Sequence, residues 1–315
     1  MTCRKLVLVL GDQLDRGSAA LVAADPSQDV VLMIEARGES QRVRSHKART
    51  ALFLAAMRHH ADWLRGRGFR VDYYRVEHPE AASLGNALRC AIALHGPRLL
   101  SLVEPGEYGV QQEIGQACAT AGLRCETLPD NHFYCSRDAF AAWREGRRTL
   151  VMEPFYRQMR RHHGILIEDD QPVGGQWNYD RQNRRPFGRQ GPGLIPAARG
   201  FDPDLVTREV LSDVERHFPN NPGSLSGFDW PVSRGQALQA LDDFIAHRLP
   251  AFGPFQDAMW REEALLYHSR LSAALNMKLL GAREVVERAL EAYREGAAPL
   301  ASVEGFVRQI LGWRE

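Results

Sequence analysis

The sequence predicts an α/β domain followed by an all-α region. Three observations carry this expectation. Residues 5–128 alternate short runs rich in Val, Leu and Ile with helical patterns; a stretch dense in Gly, Pro, Asn and Arg interrupts the chain at 171–200; beyond 201 only helical patterns remain. The 315 residues are 44% hydrophobic and 25% charged, which excludes global disorder and low complexity and suits about two domains. No apolar run approaches the roughly 20 residues of a membrane span. The run 6–10 after Arg4-Lys5 ends at Gly11-Asp12, so it reads as a buried strand rather than a signal peptide, and a cytoplasmic location is the default expectation.

Taken in order, the runs 6–10, 30–34, 71–74, 99–103 and 124–128 do not alternate strictly, as strands covered on both faces should not. Helical patterns fall between them at 46–65, 79–95 and 109–121, the first ending at Gly66 and Gly68. Five strands and their helices give a doubly wound five-stranded parallel sheet over 1–135. Ser136 caps a helix at 137–145, Glu153-Pro154 opens another at 154–163, and 136–200 as a whole reads as an interdomain connector. Helices are expected at 203–217, 233–248, 257–266, 283–295 and 302–315, with Pro250, Pro254, Gly296 and Pro299 as punctuation. Ser302 opens the last of them, whose face is Phe306, Ile310 and Trp313. It reaches Arg314-Glu315 without a stop signal, as expected of a chain cut in mid-helix or of a frayed terminal helix.

The 40 basic and 39 acidic side chains leave a formal charge of +1, so any nucleic-acid site must be a local patch. Lys5, Lys47 and Lys278 are lysines and the other basic residues are arginines, a bias explained by codon usage in a GC-rich genome or by the bidentate contacts arginine forms to phosphate. Cys3, Cys90, Cys118, Cys125 and Cys135 form no Cys-x-x-Cys pair and read as small buried hydrophobes. The adjacent pairs His59-His60 and His162-His163 point in different directions on a helix and form no metal constellation. Neither phosphate-binding glycine motif nor a nucleophile elbow occurs.

Three places can carry chemistry. Gly11, Asp12, Gln13 and Leu14 follow the first strand and Glu35 ends the second. Ligands of parallel sheets bind at that strand end, and if the two strands are neighbours these residues edge one crevice. It suits a neutral, donor-rich ring or a polyhydroxyl chain; a helix cap explains Asp12 equally well. Tyr267, His268, Ser269, Arg270, Leu271 and Ser272, followed by Asn276, place two hydroxyls around an arginine at a helix start. That chemistry fits a diphosphate, or an ordinary capped helix. Trp177, Tyr179 and Phe187 interleave with Arg181, Arg184, Arg185 and Arg189, downstream of Arg157, Arg160 and Arg161. Such aromatics stack on bases while guanidiniums meet phosphates, unless the stretch is a solvated loop. Asp180 orders an arginine there or holds a hydrated cation.

The ordered motifs GDQL, VLMIEA, FYRQMRR, QWNYDRQNRRPF, LYHSRLSAALNMKLL and EGFVRQILGWRE resemble, over essentially the whole chain, the cryptochrome/photolyase superfamily. The similarity is to its bacterial iron–sulfur branch, the prokaryotic (6-4) photolyases and related proteins. The resemblance implies an N-terminal antenna-chromophore domain over 1–135 and, from 201–315, the first part of a helical FAD-binding domain. A ribityl-lumazine antenna would meet Gly11, Asp12, Gln13, Leu14 and Glu35. FAD would meet Tyr267, His268, Ser269, Arg270, Leu271, Ser272, Asn276, Gln309 and Arg314. Damaged DNA, the implied partner, would meet Trp177, Tyr179, Asp180, Arg181, Arg184 and Arg185. The implied reaction is light-driven repair of a (6-4) lesion by electron transfer from reduced FAD, with the lesion base out of the stack.

Family chains continue well past the LGWRE motif. The resemblance places the four cysteines of the [4Fe–4S] cluster and the catalytic residues beyond residue 315, so only a complete protein, expected to be a monomer, would carry the cluster. Residues 1–315 alone are expected to be inactive and to bind FAD poorly. Two other readings stay open. One is a cryptochrome-like blue-light photoreceptor of the same branch; the other is a stand-alone chromophore-binding α/β module without catalysis.

Overall fold

A computed structural model describes residues 3–315. The chain runs β1 (Lys5–Leu8), α1 (Ala19–Val22), β2 (Val30–Ile34), α2 (Arg37–Arg42), α3 (Lys47–Gly66), β3 (Arg70–Tyr74), α4 (Leu84–His95), β4 (Leu99–Val103), α5 (Tyr108–Ala121) and β5 (Cys125–Leu128). It continues through α6 (Arg137–Arg144), α7 (Met152–His163), β6 (Ile167–Glu168), β7 (Gln171–Pro172), α8 (Asp180–Asn183) and α9 (Leu205–His217). The remaining helices are α10 (Arg234–His247), α11 (Leu249–Phe255), α12 (Ser272–Asn276), α13 (Ala282–Arg294) and α14 (Leu300–Arg308). The chain separates into two compact units. One holds the residues up to Asn131 with Gly200–Gln236 and Asn276–Leu279; the other holds His132–Arg199, Ala237–Leu275 and Leu280–Glu315.

In the first unit five parallel strands lie in the order β3-β2-β1-β4-β5. Every residue of β2 is buried, whereas the edge strands β3 and β5 are partly exposed to solvent, which explains why the central runs read as continuous apolar segments. One layer of core joins Leu6, Leu8, Leu32 and Leu102 to Ala87 and Leu88 of α4 and Ile114 of α5. Helix ends follow local chemistry. The Ser83 hydroxyl accepts from the Asn86 N–H, and Gly96 and Gly122, with φ of 50° and 61°, stop α4 and α5 in the left-handed region that favours glycine. Helix α9 packs on α3 in this unit, with its first turn capped by Asp204.

In the second unit α11 packs on α14, and α14 on α13. Gly253 permits the first contact: a Cβ there would lie 2.8 Å from the Ser302 Cα. Ser302 therefore does not open a helix. Helix α14 begins after Pro299, and the buried Ser302 hydroxyl donates to the Pro250 carbonyl and accepts from the Gly253 N–H, both at 3.0 Å.

The helix expected at 257–266 is absent. Glu262 and Leu266 adopt φ of 73° and 52°, a left-handed backbone that no glycine announces. The helix forms instead over Leu249–Phe255, where Pro250 occupies a first-turn position whose N–H has no intrahelical partner to lose. Beyond Arg308 the chain widens into a π-helical turn at Gln309–Arg314. The stretch 171–200 is also less irregular than its composition suggests, because its first part holds β7, which pairs with β6 just upstream, and helix α8.

Candidate functional site

The strand order reverses between β1 and β4, so the loops leaving those strands diverge and open a crevice at their carboxyl ends. A cavity of about 450 Å³ lies there. Leu10, Ile34, Phe53, Met57, Leu84 and Val110 give it apolar walls, and Asp12, Glu35, Ser40, Ser45, Arg49 and Glu107 bring polar groups to it. Gly11 leaves the floor open: a Cβ there would press on the Met57 sulfur at 3.0 Å. The size and mixed lining are those of a small-molecule pocket.

The sequence-predicted residues divide at this point. Gly11, Asp12 and Glu35 line the cavity, and β1 and β2 are neighbours, as the crevice argument requires. Gln13 and Leu14 belong to its support. The Gln13 amide donates to the carbonyls of Val103 and Glu104 at 3.2 and 3.0 Å, pinning the exit of β4. Leu14 is buried, and its N–H donates to the Met277 carbonyl at 3.0 Å. Burial pushes the Asp12 carboxyl above its ordinary value, while the nearby Lys278 charge pulls it back.

The Glu35 carboxylate accepts four hydrogen bonds. Arg58 donates from Nε at 2.7 Å and Nη2 at 3.0 Å, the Tyr73 hydroxyl at 2.8 Å and the Val76 N–H at 2.7 Å. Those donors saturate its acceptor sites, so a ligand donor would have to displace one of them. Arg58 also donates to Asp213 of α9 at 2.8 Å. Burial works against the Arg58 charge, but these carboxylates hold the guanidinium firmly protonated. Sequence reasoning missed Arg58. Its signal was available: the residue continues the buried stripe of Ala51, Leu54 and Ala61 on α3, where a lone cation demands a partner.

The second candidate segment is mostly accessible. Tyr267 stacks on Phe255, with ring centroids 5.3 Å apart, His268 is exposed, and Ser269 and Arg270 are half-buried. The Ser269 hydroxyl accepts the Leu271 N–H at 3.3 Å, and Arg270 holds a left-handed backbone with φ of 57°. Leu271 is buried, Ser272 opens the five-residue α12, and Asn276 ends it, both exposed. Of the expected flavin-side residues further on, Gln309 is exposed. Arg314 donates to the Leu275 carbonyl at 3.1 Å, sits 2.8 Å from the His132 ring and covers Phe133.

The third candidate separates anchors from displayed cations. The Trp177 ring is flanked by Arg157, Arg160 and Arg161 at 5.5, 5.3 and 4.5 Å. Tyr179 is buried, donating from its N–H to Glu304 at 3.2 Å and from its hydroxyl to the Val173 carbonyl at 3.1 Å. Asp180 pairs with Arg308, which holds its carboxyl below the usual range; it orders an arginine rather than standing open to a cation. Arg184 bridges Asp180 and Asp257, whereas the Arg181 and Arg185 side chains are exposed. Glu304, missed from sequence, is wholly buried beneath this stretch and accepts from the Tyr156 hydroxyl at 3.0 Å.

Among the described residues no three His, Cys, Asp or Glu side chains gather in a metal-holding group, and the five cysteines are free thiols.

A family model described as deoxyribodipyrimidine photo-lyase-related protein matches residues 7–230. A (6-4) photolyase of Agrobacterium fabrum is 43% identical over 313 residues, which cover 99% of this chain and 61% of that protein. Two solved structures share the fold. A bacterial class III photolyase from Agrobacterium tumefaciens aligns with a TM-score of 0.53 at 16% identity, over 100% of this chain and 58% of that one. A cryptochrome from Synechocystis sp. PCC6803 aligns with a TM-score of 0.56 at 13% identity, over 100% of this chain and 60% of that one. The chain thus spans about three-fifths of the length of the relatives it matches.

Proposed function

The chain belongs to the deoxyribodipyrimidine photo-lyase-related protein family, and from that premise we propose that it serves light-driven repair of (6-4) lesions in DNA with reduced FAD and a ribityl-lumazine antenna. The observation that carries this reading is the 43% identity to a (6-4) photolyase along 99% of the chain.

The sheet-end cavity suits the antenna. Its volume of about 450 Å³ accommodates a bicyclic ring between Met57, Phe53 and Ile34, with hydroxyls and acids at its ends for a polyol chain. Glu35 bounds that slot with a carboxylate fixed by Arg58, so its contribution is shape and a rigid wall. FAD, when bound, supplies the electron that light drives into the lesion. The residues toward it are Tyr267 to Ser272 with Asn276, Gln309 and Arg314. The left-handed Arg270 supports an anion-binding role, because strained non-glycine backbone gathers at ligand sites. Arg181, Arg184 and Arg185 would hold the DNA backbone, with Trp177, Tyr179 and Asp180 setting the stretch that carries them. The five cysteines do not fit a [4Fe–4S] cluster: Cys3 and Cys118 are buried in the first unit's core, and no group of three such ligands gathers among the described residues.

The test is repair of an oligonucleotide carrying one (6-4) lesion, with reduced FAD under blue light, by the chain alone and by the chain joined to the C-terminal remainder of the Agrobacterium fabrum (6-4) photolyase. Light-dependent recovery of the undamaged dinucleotide is expected from the joined protein and not from residues 1–315 alone. A light-driven flavin redox change with no recovery would favour a photoreceptor. Bound lumazine with neither flavin nor repair would favour the stand-alone chromophore module.

A further inference from the structure

Resting on the reading of the sheet-end cavity as a chromophore site, we propose that Lys278 is a positioning residue for its ligand. From behind the cavity wall it presents Asp12 as a hydrogen-bond acceptor, so that the cavity selects a neutral ring with an N–H donor at that end.

Lys278 does not line the cavity. It is 7% exposed, and its ammonium lies 2.6 Å from an Asp130 carboxylate oxygen. Its backbone is left-handed, with φ of 61°, a conformation that an ordinary side chain resists and that persists where the surroundings impose it. The imposing contact is next door, since the Met277 carbonyl accepts the N–H of Leu14, two residues after Asp12. The segment that carries Lys278 is therefore fastened to the loop that carries Asp12.

The charges around Asp12 come from several segments. Lys278 attracts its charged form, while Asp130 after β5 and Glu107 after β4 repel it. Across the cavity stand Glu35, fully engaged by Arg58, together with Glu39 and Arg49, whose guanidinium donates to Ser45 at 2.7 Å. Burial pushes Asp12 towards its neutral form, whose O–H donates rather than accepts. The Lys278 charge opposes this. Beside Glu35, which Arg58 neutralises, the lining sets Asp12, Glu39 and Glu107 against Arg49, so an anionic ligand is disfavoured and a donor-bearing neutral ring is favoured.

The experiment titrates ribityl-lumazine by its fluorescence across mildly acidic to neutral pH into the wild-type chain and the variants K278M, K278R and D130N. Affinity for the wild type is expected to fall as pH falls and Asp12 takes up a proton. The midpoint of that loss should move to higher pH in K278M, stay in place in K278R and move to lower pH in D130N. A ring-N-methylated ribityl-lumazine, which lacks the donor, should bind about tenfold more weakly to the wild type. A purely structural lysine would weaken binding at every pH without moving the midpoint. Should K278M fold poorly, the opposite shift in D130N and the unmoved K278R carry the test. Lumazine binding with a midpoint common to all four proteins would overturn this inference and leave the chromophore reading intact. No lumazine binding to the wild type at any pH would overturn both.

Discussion

Glu35 in the sheet unit and Glu304 in the helical unit are both buried, yet opposite means hold them. Glu35 meets a matched cation: Arg58 grips both of its oxygens, and a hydroxyl and an amide complete the shell. Glu304 meets mostly neutral donors, the Tyr156 hydroxyl and the Tyr179 N–H, with Arg308 at 3.8 Å. Burial accordingly raises the Glu304 carboxyl above its ordinary value despite Arg308. The difference teaches where each unit takes its rigidity. The sheet unit invests in one saturated ion pair beside its cavity, while the helical unit spreads a shared charge among aromatic hydroxyls and arginines beneath the Trp177–Arg185 stretch.

The largest effect should come from breaking the saturated pair. In Arg58→Met, Glu35 and Asp213 lose their cation, and a buried carboxylate left unpaired costs about 3–5 kcal/mol. Urea unfolding of the variant should show that loss as a lower midpoint. A loss below about 1 kcal/mol would mean that Tyr73 and Val76 suffice for Glu35, and the contrast with Glu304 would vanish.

Next in size is a pH effect on the same helix. His60 of α3 is buried, and burial pushes its imidazole down to about 4. In the unfolded chain the ring titrates near its usual 6.5, so the unfolded state binds the proton first as pH falls. Stability contributed by neutral His60 is therefore present above about 6.5 and lost progressively towards about 4. The loss amounts to roughly 3 kcal/mol at full extent. His60→Met should flatten this acid limb in urea midpoints measured against pH, and an unchanged limb would assign it to other groups.

Glu304→Gln probes the other side with a smaller effect. The amide oxygen still accepts from Tyr156 or Tyr179, so the net change should stay within about 1 kcal/mol. The pH dependence has a defined sign. A carboxyl whose folded pKa is raised loses its proton first in the unfolded chain, so wild-type stability falls as pH rises from the ordinary carboxylate value to the raised one. The glutamine variant should lack that decline, measured as the urea midpoint over the same pH range.

What the sequence discloses follows the same division. The strand runs were legible because central parallel strands must be apolar on both faces, and Asp12 and Glu35 were legible because ligand loops follow such strands. The partners of Glu35 were not, since Arg58 lies 23 residues away and Asp213 a further 155 beyond Arg58. In the helical part, Pro250 and Pro254 read as breakers although α11 includes both, and 257–266 read as a helix although Glu262 and Leu266 turn left-handed. Local propensity cannot report a backbone that tertiary contacts impose on an ordinary residue.

The smallest effect on stability should fall on the residues that the proposed DNA role needs most. Trp177, Tyr179 and Asp180 are engaged within their unit by the flanking arginines, Glu304 and Arg308, whereas Arg181 and Arg185 project from the same stretch. Replacing Arg181 and Arg185 together by alanine should leave the urea midpoint within about 0.5 kcal/mol of wild type, while Tyr179→Ala should cost about 3 kcal/mol. If the two arginines meet backbone phosphates, the double variant should bind lesion-bearing and undamaged duplex more weakly by a similar factor. Its dependence of log affinity on log salt should flatten by about one unit per lost contact. An unchanged salt slope would remove both side chains from the duplex. The stretch would then be a packing device of the helical unit, and its likeness to Glu35's rigid wall would be complete.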